Sequence, residues 1–263
     1  MNFEKMTISE INNFVEGFSE IEKIENDIIK KLSTDYRKGV KKIAQKIKRA
    51  KKKKEIQKEN WHKQNGIIYQ LQKKGFQMIA GIDEAGRGPL AGPVVSSAVV
   101  LDLNKPILGL TDSKKLSSKA RERLFKTIFD KARVGIGIVS NTIIDRLNIH
   151  QATFLAMRRA VEDLQISPEF LLIDGSYTIP DIDYKQRAIV GGDLKVNAIS
   201  AASIIAKVTR DCIMDELHSS YPSYNFLSNK GYGTQEHIEA IKDIGPCPLH
   251  RFSYKIVKEN KEK

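Results

Sequence analysis

The sequence predicts an α/β fold: a mixed five-stranded sheet flanked by helices, preceded by a basic helical N-terminal extension. Three observations carry this prediction. Residues 1–76 read mostly as helix and hold most of the net positive charge. After Lys74, short apolar runs of strand length alternate with longer segments of helical spacing, the pattern of a sheet covered by helices. The first two strand-like runs lie so close in sequence that no crossover helix fits between them, so they are expected to pair antiparallel.

Taken in order, Thr7 or Ser9 caps a short helix through Phe18, and a second helix covers Glu20 to Leu32. A third runs from about Arg37 toward Lys74. It opens with Val40, Ile43, Ala44 and Ile47, whose spacing makes one apolar face, and Gly66 with its polar neighbours breaks it before Ile67. The boundary between extension and main domain is placed between residues 76 and 77. Gln77–Asp83 reads as a strand and Val94–Leu101 as a second, with Pro89, Gly92 and Pro93 between them. Ser117 or Ser118 caps a helix to about Ala132, and Val134–Ser140 is a third strand. Ile149–Leu164 is an amphipathic helix, Phe170–Ile173 a short, wholly apolar and therefore buried strand, and Arg187–Val190 a fifth. Ala198–Ser220 is a long helix whose first half is small and apolar, and Thr234–Ile244 is another. No internal repeat is present.

With 263 residues the chain can build one sizeable core plus an appendage. Its net charge of +12 points to a polyanionic partner, although charge alone does not separate nucleic acid from an anionic membrane. The excess is uneven. Residues 1–76 carry 19 Lys/Arg against 10 Asp/Glu, and Arg37 to Lys54 holds eleven Lys/Arg and no acid. Two readings stand for that run, a solvated helix face or a contact with a duplex backbone. Cys212 and Cys247 form no close pair and no metal-ligand spacing, which fits a reducing cytosol. Met-Asn-Phe-Glu-Lys lacks the apolar core of a signal peptide, and no apolar run approaches membrane-spanning length. The expectation is a cytoplasmic monomer with no membrane association.

The stretch Ala80-Gly-Ile-Asp-Glu-Ala-Gly-Arg-Gly-Pro-Leu-Ala-Gly-Pro-Val-Val95 is the most informative in the chain. An apolar strand ends in two carboxylates, Asp83 and Glu84, placed as ligands for a hard divalent cation. Gly86-Arg87-Gly88 follows, where glycines let backbone approach a phosphate and a guanidinium adds charge. Asp174 ends the Phe-Leu-Leu-Ile strand, and Asp193 follows Gly191-Gly192 after the fifth. Sites in open α/β sheets form beyond strand ends, so three strands can deliver these acids to one place. Gathered there, they repel unless cations neutralise them, and two divalent ions about 4 Å apart do so while clamping a phosphodiester. Singly, Asp174-Gly175 and Gly-Gly-Asp are also ordinary turns.

Gly86-x-Gly88-x-x-Ala91 also matches a dinucleotide-binding fingerprint, but that needs a helix directly after the glycines, and Pro93 and the strand from Val94 leave no room for one. Lys114 and Lys115 sit in a loop before a helix cap. Ser203, Lys207 and Arg210 recur on one face of the long helix, as phosphate contacts or as an exposed polar stripe. Tyr232, between Gly231 and Gly233, is a base- or sugar-stacking ring or a local packing residue. His250-Arg251 are phosphate ligands or a polar tail. His150, His218 and His237 read as helix residues, and no pair of histidines is placed for a ribonuclease that works without metal.

Six collinear motifs together resemble bacterial ribonuclease HII: Asp83-Glu84-Ala85-Gly86-Arg87-Gly88-Pro89-Leu90, Asp112-Ser113-Lys114-Lys115-Leu116, Leu172-Ile173-Asp174-Gly175, Ile199-Ser200-Ala201-Ala202-Ser203-Ile204, Ala206-Lys207-Val208-Thr209-Arg210-Asp211 and Lys230-Gly231-Tyr232. The resemblance runs from about Ile79 to Tyr254, and the segment before it is similar to the helical extension of some Gram-positive members. Arg87 distinguishes the chain from ribonuclease HIII, which lacks an arginine between those glycines. One departure is His250-Arg251-Phe252-Ser253-Tyr254, where the family usually has His-Arg-x-Ser-Phe; the loop 180–184 matches no family pattern.

The resemblance implies an RNase H-like fold and endonucleolytic cleavage of RNA in RNA–DNA hybrids, with incision 5′ of single ribonucleotides in duplex DNA. It implies that Asp83, Glu84, Asp174 and Asp193 are catalytic and hold Mn²⁺ or Mg²⁺, as two ions, with a 3′-hydroxyl and a 5′-phosphate as products. It implies that the backbone of Gly86, Arg87 and Gly88 senses a ribose 2′-hydroxyl and that Tyr232 stacks on the following deoxyribose. A nucleic-acid-binding module without catalysis is the rival from another class; four acids argue against it, because uncompensated carboxylates repel a polyanion.

Overall fold

The computed structural model describes residues 3–18 and 20–261. The chain forms two compact units, residues 1–62 and 63–263. The division falls earlier than the 76/77 boundary expected from composition, because the helix after Gly66 buries Ile68 and Leu71 against Ile79, Leu172 and Val196 of the second unit.

The first unit is built from α1 (Ile8–Glu16), α2 (Asn26–Thr34) and most of α3 (Lys38–Gln64). Thr7 caps α1 in a reciprocal box with Glu10, satisfying backbone donors that the first turn leaves open. The helix expected from Glu20 to Leu32 is broken. Ile24 takes an extended conformation and is fully buried with Ile11, Leu32 and Ile47, so packing overrides local helical preference there. Val40, Ile43, Ala44 and Ile47 form the buried face of α3, as their spacing predicted.

In the second unit, α4 (Gly66–Lys73) leads into β1 (Ile79–Ala85) and β2 (Val94–Leu101). Then come α5 (Ser118–Lys131), β3 (Ala132–Val139), α6 (Asn141–Leu147), α7 (Ile149–Asp163), β4 (Phe170–Asp174) and β5 (Lys185–Ile189). The chain continues through α8 (Gly192–Lys195), α9 (Asn197–His218), α10 (Phe226–Asn229), α11 (Gln235–Ile244) and α12 (Lys255–Lys258). The sheet order is β3-β2-β1-β4-β5. β1 pairs antiparallel with β2, as the short connection required, and parallel with β4, which pairs parallel with β5. The short helices α6, α8, α10 and α12 have too few residues to show a helical period and were not visible in the sequence.

Alternation along β1 sends Ala80 and Ile82 to one side, with Met157 and Ala160 of α7. Gly81 faces α9, where a Cβ would lie 2.2 Å from the backbone carbon of Ala198. That contact explains the small first half of α9: Ala198, Ala201 and Ala202 are fully buried, and their size lets the helix lie directly on the strand that carries Asp83. No described helix is long and apolar enough to cross a membrane.

Candidate active site

The register of the parallel strands assembles the acids. Ile82 of β1 lies beside Ile173 of β4, so Asp83 and Asp174 come next at adjacent strand ends. β5 ends beside Asp174, and the turn after it carries Asp193 in the first turn of α8. The Gly192 N–H donates to Asp174 Oδ1 at 2.6 Å, which ties that turn to β4. Asp83, Glu84, Asp174 and Asp193 line one cleft of about 510 Å³ together with Gly86, Arg87, Gly88, Ser113, Lys114, Ser203, Lys207 and Tyr232.

The electrostatics of the cleft follow from crowding and burial. Asp83 is only 6% exposed. Burial, followed by the charges of Glu84 and Asp174, holds its carboxyl well above the ordinary range, opposed by hydrogen bonds from Ser203 and the Glu84 N–H. Glu84 is raised by burial and by Asp174, while Arg87, with Nη1 at 3.4 Å, lowers it. Asp193 is raised by burial, Asp174 and Asp112, and lowered by Lys114. A site that strains to ionise its own carboxylates fits divalent cations chemically. Among the described residues no three acid, histidine or cysteine side chains group tightly enough to form a ready-made metal shell.

The basic residues sort differently from the expectation. Lys114 lines the cleft on a loop fastened by Arg121, whose Nε and Nη2 donate to the carbonyls of Ser113 and Leu116. Lys115 is exposed but outside the lining. Lys207 lines the cleft and pairs with Asp211 at 2.7 Å. Ser203 is buried against Ser113 and Asp83, so it supports an acid rather than reaching outward.

Arg210 is a correction. It donates to the carbonyls of Pro93, Lys230 and Ala91 and is fully buried, so its guanidinium is not presented to a phosphate. His250 and Arg251 are corrections too, since both are fully buried, neither a tail nor surface ligands. His237, in α11 as expected, meets His250 Nε2 to Nε2 at 3.0 Å, enclosed and away from the cleft lining. Their sequence signal was polarity, which says nothing about burial when the acceptors are distant carbonyls.

Two further features border the cleft. Gly86 has φ +96°, and a Cβ there would strike Arg210 and the Pro93 carbonyl, so only glycine fits. Tyr232 is 41% exposed, and its ring passes within 3.8 Å of where a Cβ on Gly88 would sit. Lys207 and Arg210 lie over that ring at 5.9 and 5.6 Å from its centroid.

Comparison with known proteins gives a consistent result. The ribonuclease HII family model matches residues 80–257, and the model of the ribonuclease HII N-terminal domain matches residues 7–65. Ribonuclease HII of Acetivibrio thermocellus is 48% identical over 95% of this chain and 96% of its own length. That of Bacillus subtilis is 43% identical over 93% of this chain and 95% of its own length. The crystal structure of ribonuclease H2 from Pyrococcus horikoshii superposes with a TM-score of 0.58 at 27% identity, covering 71% of this chain and 98% of that one.

Proposed function

Because the chain belongs to the ribonuclease HII family, a family of hydrolytic RNase H endonucleases acting on RNA–DNA substrates, we propose that it incises duplex DNA on the 5′ side of a single embedded ribonucleotide, as well as cutting RNA runs in hybrids. The observation that carries this reading is the placement of Gly86-Arg87-Gly88 and Tyr232 side by side at the edge of the four-carboxylate cleft.

Asp83, Glu84, Asp174 and Asp193 would hold divalent metal, Mn²⁺ or Mg²⁺, in the cytoplasm. When bound, two such ions supply charge neutralisation, activation of the attacking water and stabilisation of the departing 3′-oxygen. The protein's own part is positioning. Arg87 and Lys114 place positive charge beside the acids, where the scissile phosphate must come. The Arg87 and Gly88 N–H groups find no protein acceptor among the described residues, so they are free to meet a ribose 2′-hydroxyl. The exposed Tyr232 ring offers a platform for the next sugar, and a 2′-hydroxyl on that sugar would clash with it. The substrate is therefore read twice, once for a hydroxyl and once for its absence.

In the first unit, α3 supports a second role, a contact to the duplex backbone. Lys51 donates to the Ile24 carbonyl and Lys54 pairs with Glu22, both turned toward the unit's own body. Lys38, Lys42, Lys46, Lys48, Arg49, Lys52 and Lys53 are exposed and unpaired among the described residues. Lys38, Lys42, Arg49, Lys52 and Lys53 occupy the side of α3 opposite Val40, Ile43 and Ile47, with Lys46 and Lys48 on its flanks, so one helix offers an apolar face inward and a cationic face outward. A protein–protein arm is the alternative reading of that face.

The test is cleavage of a labelled duplex with one ribonucleotide, with the cut mapped and the product ends identified. A nick 5′ of the ribonucleotide leaving a 3′-hydroxyl supports the reading; a 2′,3′-cyclic phosphate contradicts it.

A further inference from the structure

The two recognition features are held by neighbouring residues of the C-terminal segment. Arg251 is fully buried and makes no ion pair among the described residues. Its guanidinium gathers carbonyls instead: Nη2 donates to Gly86 O at 2.6 Å, Nη1 to Arg87 O at 2.9 Å, and Nε and Nη2 to Gly92 O at 3.0 and 2.9 Å. Tyr254 adds a second donor to Arg87 O, its hydroxyl lying 2.7 Å away.

The consequence follows from peptide geometry. No cis bond occurs among the described residues, so each C=O points opposite to the N–H of its own peptide unit. Holding the carbonyls of Gly86 and Arg87 toward the interior turns the N–H groups of Arg87 and Gly88 away from it, on the side where these residues line the cleft. A cation on a carbonyl also polarises that peptide and strengthens its N–H as a donor.

His250 does the corresponding work on the other feature. The Tyr232 carbonyl is an acceptor only, so the His237 Nδ1 at 2.8 Å must carry the proton. The His237 Nε2 then accepts from His250 Nε2 at 3.0 Å, and His250 Nδ1 accepts from the Cys247 N–H at 3.0 Å. One tautomer assignment satisfies the whole chain. Backbone bonds close the frame: Arg251 N–H to Leu90 O at 2.8 Å, Gly92 N–H to Leu249 O at 2.9 Å, and Leu90 N–H to Gly231 O at 2.8 Å.

We propose that His250-Arg251 is a specificity-determining positioning pair that fixes the spacing between the Arg87–Gly88 amide donors and the Tyr232 ring, and so sets how strictly the enzyme requires a ribose followed by a deoxyribose. The inference rests on the ribose-then-deoxyribose reading given above. Neither residue touches substrate; both act through the carbonyls they hold.

The test uses the full chain and two substrates, duplex DNA with one ribonucleotide and a hybrid with a continuous RNA strand. Arg251→Lys keeps the charge but cannot reach the three carbonyls at once. His250→Gln keeps one donor and loses the ring. Both should lower the ratio of kcat/KM for the single ribonucleotide to kcat/KM for the RNA strand by about tenfold or more, since small misplacements of recognition groups cost that much. Tyr254→Phe, which removes one bond to Arg87 O from a partly exposed side chain, should move the ratio the same way by less. Thermal melting of each variant is read alongside. Equal loss on both substrates, in step with the melting temperature, overturns the proposal by reducing the pair to a structural role. If Arg251→Lys fails to fold, an unchanged ratio in Tyr254→Phe overturns it instead. A wild-type enzyme that does not incise at single ribonucleotides contradicts the underlying reading, and that is visible before any variant is compared.

Discussion

Asp83 meets two demands at once. It sits within β1, under α9, where burial and two neighbouring acids oppose its ionisation; in the function proposed above, the same enclosed setting lets its carboxylate hold a cation strongly. Replacing it with asparagine removes the charge and keeps the shape. Asp83→Asn should lower cleavage by at least about a hundredfold, more than is lost when only a supporting neighbour of a metal ligand is removed. In EDTA the same variant should melt no lower than the wild type, because a buried repulsion has been relieved; a clear fall would contradict the account. Tyr232 makes a different prediction. Stacking needs the ring, worth about 1–3 kcal/mol where it has been measured on bases, so Tyr232→Ala should lose tenfold or more in kcat/KM, on the order of that energy, while Tyr232→Phe stays close to the wild type. Equal losses would shift the role from the ring to the hydroxyl. The four acids were legible in the sequence because each follows an apolar strand or a glycine turn. Arg210 and Arg251 were not, because most of their acceptors are carbonyls 117 to 165 residues away in the chain and no local pattern records them.

At the level of elements, strands of uniform apolar character were read well: β2 has the expected bounds, and β1 continues two residues beyond the expected end, carrying Asp83 and Glu84 within it. What failed were helices decided by tertiary contact, such as the broken segment around Ile24. The contact between α11 and the C-terminal segment gives a pH prediction. Burial holds His250 down to about 4 and lowers His237 as well, so the folded protein keeps the pair neutral where the unfolded chain, with histidine near 6.5, takes up protons. The stability this contributes is complete above about pH 6.5 and is lost as pH falls toward about 4. Urea midpoints should therefore drop between pH 7 and 4.5, and His250→Gln should flatten that slope; parallel slopes would show that other groups dominate. For α3, neutralising Lys42, Arg49 and Lys53 together in the full chain should reduce the slope of log affinity against log salt for a DNA duplex by about 0.9 for each phosphate contact removed. An unchanged slope would favour the protein-contact reading of that helix.

Over the whole molecule, the chain joins a small basic helical unit to a larger unit whose sheet, α9 and C-terminal segment converge on one cleft. Composition located the charge correctly but set the boundary too late, because α4 reads as the end of the extension's long helix while its buried face belongs to the second core. In the function proposed for that second unit, the carboxylates cut where a ribose meets a deoxyribose, because the amides of Arg87 and Gly88 and the ring of Tyr232 test the two sugars together. The most direct measurement is to incubate an end-labelled DNA duplex containing one ribonucleotide with the enzyme in Mn²⁺, Mg²⁺ or EDTA and to map the cut. The account predicts a metal-dependent nick on the 5′ side of the ribonucleotide, leaving a 3′-hydroxyl. Cleavage confined to longer RNA runs, or a nick that persists in EDTA, would contradict it.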